Sequence, residues 1–491
     1  MMLRLFLLAA LLLVHGEVRA ETPAEKAGFA SKLIIYNAKG PANACGPGCD
    51  RWIAVEGQVD EGAAARVSRF LRDVKDTRRP IYFHSPGGSV RPSYVIARLL
   101  RSRKAVGRIG RTIATGCAGG TQVDAACLKV KTAGGEVEAT LTTRNAMCNS
   151  ACGYLFLGAT TREVAPDAAI AVHNSKLTLH ARGPFSAQQI AEFKQRSMAN
   201  ADRERAAFVV SMGIARELDD LIKTVKFESL HILTRTELYR FGIDTRPLPE
   251  TAWTLESASR PYIRKIAVAK QGEGAAFRTM EWRLFCENKD RARLMFVRES
   301  DQAGGLKTIM LTAGPDKSVA FGKYPARVGK YEVWSDVVAP DAMQAMLAAS
   351  RLQMGEGTLS AEGKTTLATF DIDTLGLGAS WTQLLSSCPA NTARPAAASS
   401  SLNINPAPAI PAAYGSRKSG EVSARCGIDS RACGRYTRGV NRFAPTALML
   451  GNVVTSCSVL AHPPRCRSTR RRSTSGRRAA RRSAVFCMRA I

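Results

Sequence analysis

Three short stretches carry the residue types that could do chemistry. Cys148-Asn149-Ser150-Ala151-Cys152-Gly153 puts one serine in a small-residue turn between two cysteines, and the apolar run Tyr154-Leu155-Phe156-Leu157 follows. That order reads as a turn feeding a buried helix with Ser150 at its start. Backbone N–H groups point outward at a helix start and favour negative charge. A serine nucleophile needs such a place, because its attack on a carbonyl creates an oxyanion. Ser85-Pro86-Gly87-Gly88-Ser89-Val90 follows an apolar run. Two glycines there let backbone approach a ligand and expose N–H groups. Ala169-Ile170-Ala171-Val172-His173-Asn174 ends a strand-like run in a histidine that could take a serine proton and return it to a leaving group. Each stretch also has a plain structural reading: small-residue packing, a strand-to-helix turn, a core histidine.

The elements that must position these residues follow from periodicity. Leu33–Tyr36, Trp52–Gly57 and Pro80–His84 read as strands, and 63–74 as an amphipathic helix with Val67, Phe70, Leu71 and Val74 on one face. Tyr94–Leu100 reads as a helix after the glycine turn. Strand, helix, strand, glycine turn, helix describes a βαβ unit and a parallel sheet. Within residues 104–147, Val106–Ile109 and Thr112–Ala114 read as strand, and Cys117–Gly135 is a Gly/Ala/Cys-rich excursion. Beyond His173, Gln188–Met212 and Leu218–Val225 read as helices. Thr234–Phe241 is a third, with Thr234 and Glu237 spaced as a capping box and Gly242 as its stop.

The Ser-Pro-Gly-Gly-Ser-Val turn, Cys-Asn-Ser150-Ala-Cys, Ile-Ala-Val-His173-Asn and Thr234-Arg-Thr-Glu-Leu-Tyr-Arg-Phe-Gly242-Ile-Asp together resemble the proteolytic subunit of the Clp protease, and more broadly the Clp/crotonase superfamily. The resemblance spans about residues 32–248. It implies an α/β fold with a repeated ββα core, Ser150 as nucleophile, His173 as general base, and an oxyanion hole from the N–H groups of Gly88, Val90 and Ala151. Three departures stand out. The connection between the glycine turn and Ser150 is longer than the family's, so the excess could cover the site or replace an oligomer contact. Leu230 occupies the position nearest the family's aspartate, with Glu228 and His231 beside it and Asp219 and Asp220 further off; Glu228 is the candidate third member. Lys176 raises a Ser–Lys alternative of the kind seen in related signal-peptide peptidases. The flanking Cys148 and Cys152 are not the family's norm; they suit a structural disulfide, or a free thiol at Cys152.

Length and composition frame these residues. The chain has 491 residues and a formal charge of +29, but residues 401–491 hold 17 Lys+Arg against 2 Asp+Glu, a net of +15. About half of the excess charge therefore lies in the last fifth, and no basic recognition helix stands out before it, so no specific nucleic-acid partner is expected. Residues 1–20 read as a secretory signal, with Arg4, an apolar Leu5–Val14 and small residues before Glu21. The apolar run is short for a bilayer span, so no transmembrane segment is expected in the mature protein, and a periplasmic or secreted bacterial location follows. Eight cysteines before residue 400 then become disulfide candidates, with Cys45 and Cys49, Cys117 and Cys127, and Cys148 and Cys152 close in sequence. Zinc is the weaker reading, because the histidines lack ligand spacing.

Pro247–Pro261 reads as a linker. Residues 249–388 form a small α+β accessory domain: strands at Trp282–Cys286, Ala292–Val297, Thr308–Leu311, Tyr331–Trp334 and Thr365–Phe370, helices at Asp341–Arg351 and Ser380–Leu385, and Cys286 with Cys388 placed to close it. Residues 389–491 read as a Pro/Ala/Ser linker and a disordered basic tail with an odd number of cysteines. The expected function is an exported serine hydrolase acting on peptides or polypeptides. It would need no cofactor and no metal, form a homo-oligomer if the family's habit holds, and lack an ATPase partner, since ATP is a cytoplasmic resource. The rival is a catalytically inactive binding or scaffold module on the same fold.

Overall fold

A computed structural model describes residues 28–117, 121–182, 185–272, 274, 276–288, 291–299, 306–314, 318–321, 325–359, 365–388 and 485–490. The expected signal segment, the 389–416 linker and most of the basic tail lie outside the described residues.

The chain opens with β1 (Ile34–Lys39) and β2 (Arg51–Glu56), an antiparallel pair whose connecting loop holds the Cys45–Cys49 disulfide. Helix α1 (Ala63–Asp73) buries Ala63, Val67 and Leu71, spaced for one face, and leads to β3 (Ile81–His84), parallel to β2. Helix α2 (Val90–Ser102) then carries the chain to β4 (Val106–Ile109), parallel to β3. The βαβ unit is therefore present, but the sheet that holds it is mixed and not parallel throughout, since β1 runs antiparallel to β2.

The excursion resolves into β5 (Arg111–Ala114), α3 (Ala125–Thr132) and β6 (Glu136–Thr142). It extends the sheet: β6 pairs with the free edge of β1, and β5 pairs with β6. Lys131 of α3 is buried and reaches Glu56 Oε2 at 2.9 Å, while the Tyr36 hydroxyl and the Thr112 N–H donate to the same carboxylate at 3.0 and 3.1 Å. Such an ion pair is tolerable in the interior because its remaining hydrogen-bonding capacity is met. The Cys117–Cys127 disulfide ties the segment before α3 to the helix.

Strand β7 (Met147–Asn149), helix α4 (Ala151–Leu157) and β8 (Thr161–Glu163) follow, and β8 pairs with β4 to complete a seven-stranded sheet ordered β5-β6-β1-β2-β3-β4-β8. Beyond it come β9 (Ala169–Val172), β10 (Leu177–Arg182), α5 (Ala187–Ser211), α6 (Glu217–Thr224), β11 (His231–Ile232) and α7 (Arg235–Arg240). Strands β11, β9 and β7 make a second, three-stranded sheet. The capping box on α7 is formed by Thr234 and Glu237 as expected.

The second half contains β12 (Thr254–Glu256), β13 (Tyr262–Lys270), β14 (Phe277–Asn288), β15 (Arg291–Glu299), β16 (Leu306–Thr312), β17 (Ser318–Phe321), β18 (Ala326–Val328), β19 (Tyr331–Val338), α8 (Pro340–Ala348), β20 (Arg351–Leu359), β21 (Thr365–Asp373) and α9 (Leu377–Ser386). They form antiparallel sheets of six and four strands around one core that includes Trp282, Phe296, Trp334, Leu352 and Ile372. The expected helix to Arg351 stops at Ala348. Ala349 turns extended (ψ 142°), and Arg351 begins β20. Cys286 and Cys388 are joined across 102 residues. The two halves touch: the Arg235 guanidinium lies 5.4 Å over the Phe277 ring, the Tyr239 ring stands 5.5 Å from it, and Arg144 pairs with Glu256.

The tail was expected to lack regular structure, but its described residues form β22 (Val485–Ala490), antiparallel to β10. Backbone pairing with β10 supplies the order that its composition lacks. No helix among the described residues is long and apolar enough to cross a membrane.

Arg162 on β8 holds three helix ends together. Its guanidinium donates to the carbonyls of Leu157, the last residue of α4, and Ala159 just beyond it, Met212 after α5, and Gly242 and Ile243 after α7, at 2.9–3.4 Å. Helix C-termini leave carbonyls without intrahelical donors, and burial makes each one costly if unmet. The same burial lowers the Arg162 pKa to about 10, with Arg101 adding repulsion. Replacing Arg162 with Leu is expected to lower stability by about 2–4 kcal/mol, read by chemical denaturation with the disulfides intact. Arg162→Lys, with three donors on a single atom, is expected to recover only part of that loss.

Candidate functional site

Ser150 sits where β7 ends and α4 begins, as its sequence context implied. It is the residue before the first helical turn, with φ 53° and ψ −121°. Non-glycine residues rarely adopt positive φ, and those that do are held there by their surroundings. Here the hold is identifiable. The Ser150 N–H donates to Ala171 O at 2.7 Å, fixing the turn to β9. Cys148 and Cys152, both fully buried, are joined by a disulfide that spans the turn, with Cα atoms 5.0 Å apart. Cys152 is thus not a free thiol, and none of the eight cysteines before residue 389 is free for zinc. Among the described residues no group of three or more His, Cys, Asp or Glu could hold a metal ion.

The glycine turn comes directly against the serine turn. Ser85 N–H donates to Met147 O at 2.9 Å, and Asn149 N–H donates to Ser85 O at 3.0 Å. Gly87 adopts φ 101°, and a Cβ there would lie 2.6 Å from Asn149 O, 2.8 Å from Ser150 Cβ and 3.2 Å from Ala151 N. No side chain fits that gap. Gly88 adopts φ 138°, and a Cβ on it would strike Val59 O at 2.3 Å. Val59 N–H donates to Gly87 O, and Ser89 N–H to Val59 O, which pins the turn from behind. None of these hydrogen bonds uses the N–H of Gly88 or Ala151. Val90 is buried at the first position of α2. Of the two glycines it is Gly87, absent from the expected set, that packs against Asn149, Ser150 and Ala151 of the serine turn.

His173 follows β9 and lines the same cavity as Ser150. The rest of that cavity is apolar, walled mainly by Tyr154, Leu157, Ile170, Val172, Leu218 and Ile222. No hydrogen bond joins Ser150 Oγ to the His173 ring among the described contacts. Nδ1 of His173 is buried and meets no well-formed hydrogen bond. Burial lowers the His173 pKa, while the backbone at Asn174, the negative charge of Glu228 and the backbone at Phe227 pull it back. The Phe227 ring packs 5.0 Å from the imidazole.

The candidate third members separate clearly. Glu228 is exposed and acts on His173 through charge alone, without a hydrogen bond to it among the described contacts. Asp219 is fully buried but belongs to an ion pair, 2.6 Å from both Arg205 Nε and Lys223 Nζ. Arg205 also donates to the Asn174 side chain at 3.2 Å, and Asn174 N–H donates to Val225 O at 2.9 Å, so this network anchors the residue after His173. Asp220 pairs with Lys223 at 3.3 Å, and His231 with Glu237 at 2.9 Å. Lys176 extends over the Phe227 ring, 5.6 Å from its centroid, and does not line the Ser150 cavity. No described residue of 104–147 lines that cavity either, and the described part of the excursion extends the sheet. Sequence reasoning missed Gly87 and Phe227. The Gly-Gly pair was the signal for the first; nothing in the sequence marks the second.

No family model matches this chain, and no curated protein matches it. Among solved structures, it is similar to the crystal structure of invasion associated protein B from Bartonella henselae, at 11% identity and a TM-score of 0.21, covering 28% of this chain and 96% of that one. It is also similar to a mutant of a membrane-bound stomatin-specific protease, at 13% identity and a TM-score of 0.23, covering 38% of this chain and 73% of that one. At TM-scores this low neither likeness bears on the fold or activity of this chain.

Proposed function

We propose that this protein is an exported serine hydrolase of Clp/crotonase-like fold that cleaves peptides or unfolded polypeptides without an ATPase partner. The observation that carries the reading is the shared cavity: Ser150, held at positive φ at a helix start, and His173 border one apolar recess. In this reading Ser150 Oγ attacks the substrate carbonyl and its proton passes to His173. The N–H groups of Gly88 and Ala151 receive the oxyanion. His173 returns the proton to the leaving amine, and water, deprotonated by the same imidazole, releases the acyl group from Ser150. Four disulfides fit the periplasmic or extracellular location expected from residues 1–20.

A second reading, an inactive binding or scaffold module, is favoured by one observation: His173 Nδ1 meets no carboxylate. Labelling of oxidised, folded protein with a fluorophosphonate probe separates the two. Covalent labelling that Ser150→Ala abolishes and His173→Ala slows by roughly a thousandfold or more is the expected result. An unlabelled native protein would establish the binding module instead.

The pH dependence carries a further check. The base must be neutral to accept a proton, and burial holds the His173 pKa below the usual histidine value. The acid limb of the labelling rate is therefore expected below about pH 6.5. Glu228 favours the charged imidazole, so Glu228→Gln is expected to move that limb further down, by less than about one unit because the carboxylate is exposed and screened.

A further inference from the structure

His84, the last residue of β3, lies one residue before the Ser85-Pro86-Gly87-Gly88 turn. Its Nδ1 accepts the Met147 N–H at 3.2 Å, a bond between residues 63 apart in the chain. Met147 opens β7, and Ser150 follows three residues later. Strand β7 has only three residues. It pairs with β9 on one side, and on the other it meets the β3 extension through a single bridge between Ser85 and Cys148. The two backbone bonds at that bridge use Ser85 N–H with Met147 O and Asn149 N–H with Ser85 O. Neither uses the Met147 N–H. The His84 side chain supplies the acceptor that a longer strand would have supplied from its backbone.

The surroundings keep that nitrogen an acceptor. A ring whose Nδ1 accepts carries its proton on Nε2. His84 lines a second cavity with Glu56, Arg111, Thr112, Gln122 and Lys131, and the Phe29 ring lies 4.7 Å from the imidazole. Burial, together with the charges of Arg111 and Lys131, lowers the His84 pKa to about 3, so the ring is neutral across the physiological range. Glu56, the one carboxylate on that wall, is occupied by Lys131, Tyr36 and Thr112. His84 is not among the residues that line the Ser150 cavity, so it is not a second candidate base.

We propose that His84 is a positioning residue for Ser150: its imidazole clamps the start of β7 to the end of β3 and so holds the serine turn against the glycine turn. The claim rests on the serine hydrolase reading for its consequence, but its geometry can be tested apart from activity. His84→Asn keeps an acceptor near the position of Nδ1. His84→Leu keeps bulk and removes the acceptor. Residue-resolved hydrogen exchange of the Met147 amide and the second-order rate of fluorophosphonate labelling are measured on the full disulfide-bonded chain, with melting temperature recorded for each variant. The native protein and H84N are expected to protect the Met147 amide and to label within about threefold of each other, while folded H84L loses that protection and labels at least about tenfold more slowly. H84L that retains Met147 protection, or that labels within about threefold of the native rate, overturns the proposal. So does H84N that is no better than H84L, which would make the role one of packing. If the native protein does not label, the hydrolase reading fails and the exchange data alone decide whether His84 positions the turn. If H84L does not fold, H84N decides: loss of Met147 protection in that variant overturns the assignment.

Discussion

Two turns that belong to different strands must touch for this site to exist, and that contact constrains everything around it. The turn after β3 and the turn after β7 meet at Gly87 and Ser150, with no room for a Cβ on the glycine. The serine in turn adopts a backbone conformation that an L-residue seldom takes. A local preference of this kind does not survive alone. It is held by the Cys148–Cys152 disulfide across the turn, by the bond from Ser150 N–H to Ala171 O, and by the bonds that Ser85 makes with Met147 and Asn149. Strain at one residue is thus matched by constraint on both sides.

The same logic explains where the buried charges are. Asp219, a more distant candidate for the third member, is committed to Arg205 and Lys223, and Arg205 reaches on to Asn174. Lys131 and Glu56 dock the excursion onto the sheet, and Arg162 collects the carbonyls of three helix ends. Each buried ion has its hydrogen-bonding capacity largely met by named partners, so these groups specify how elements meet more than they add net stability. The His173 ring is held differently: its Nδ1 is among the buried atoms of this half that meet no hydrogen-bond partner, and its pKa is set mainly by burial.

The second half is built on other terms. Its two antiparallel sheets close around tryptophan and aliphatic side chains, with Cys286–Cys388 tying β14 to the segment after α9. Its contact with the first half runs through Arg235, Tyr239 and Phe277 on one side and Arg144 with Glu256 on another. None of its described residues lines the Ser150 cavity.

Much of this was legible in the residues alone, wherever the controlling interaction is local. The capping box at Thr234 and Glu237, the helical face of Val67 and Leu71, the βαβ order and the start of a helix at Ser150 all follow from spacings of four residues or fewer or from turn chemistry. The cysteine pairs at Cys45–Cys49 and Cys148–Cys152 are likewise close in the chain. Tertiary structure decided the rest. Which glycine meets the serine turn, which carboxylate is already taken, that the excursion extends a sheet edge, that a helix expected to Arg351 gives way to a strand, and that His84 caps Met147 all depend on groups that meet only after folding. A hydrogen bond across 63 residues leaves no periodic trace, because either partner would read the same in the sequence without the other.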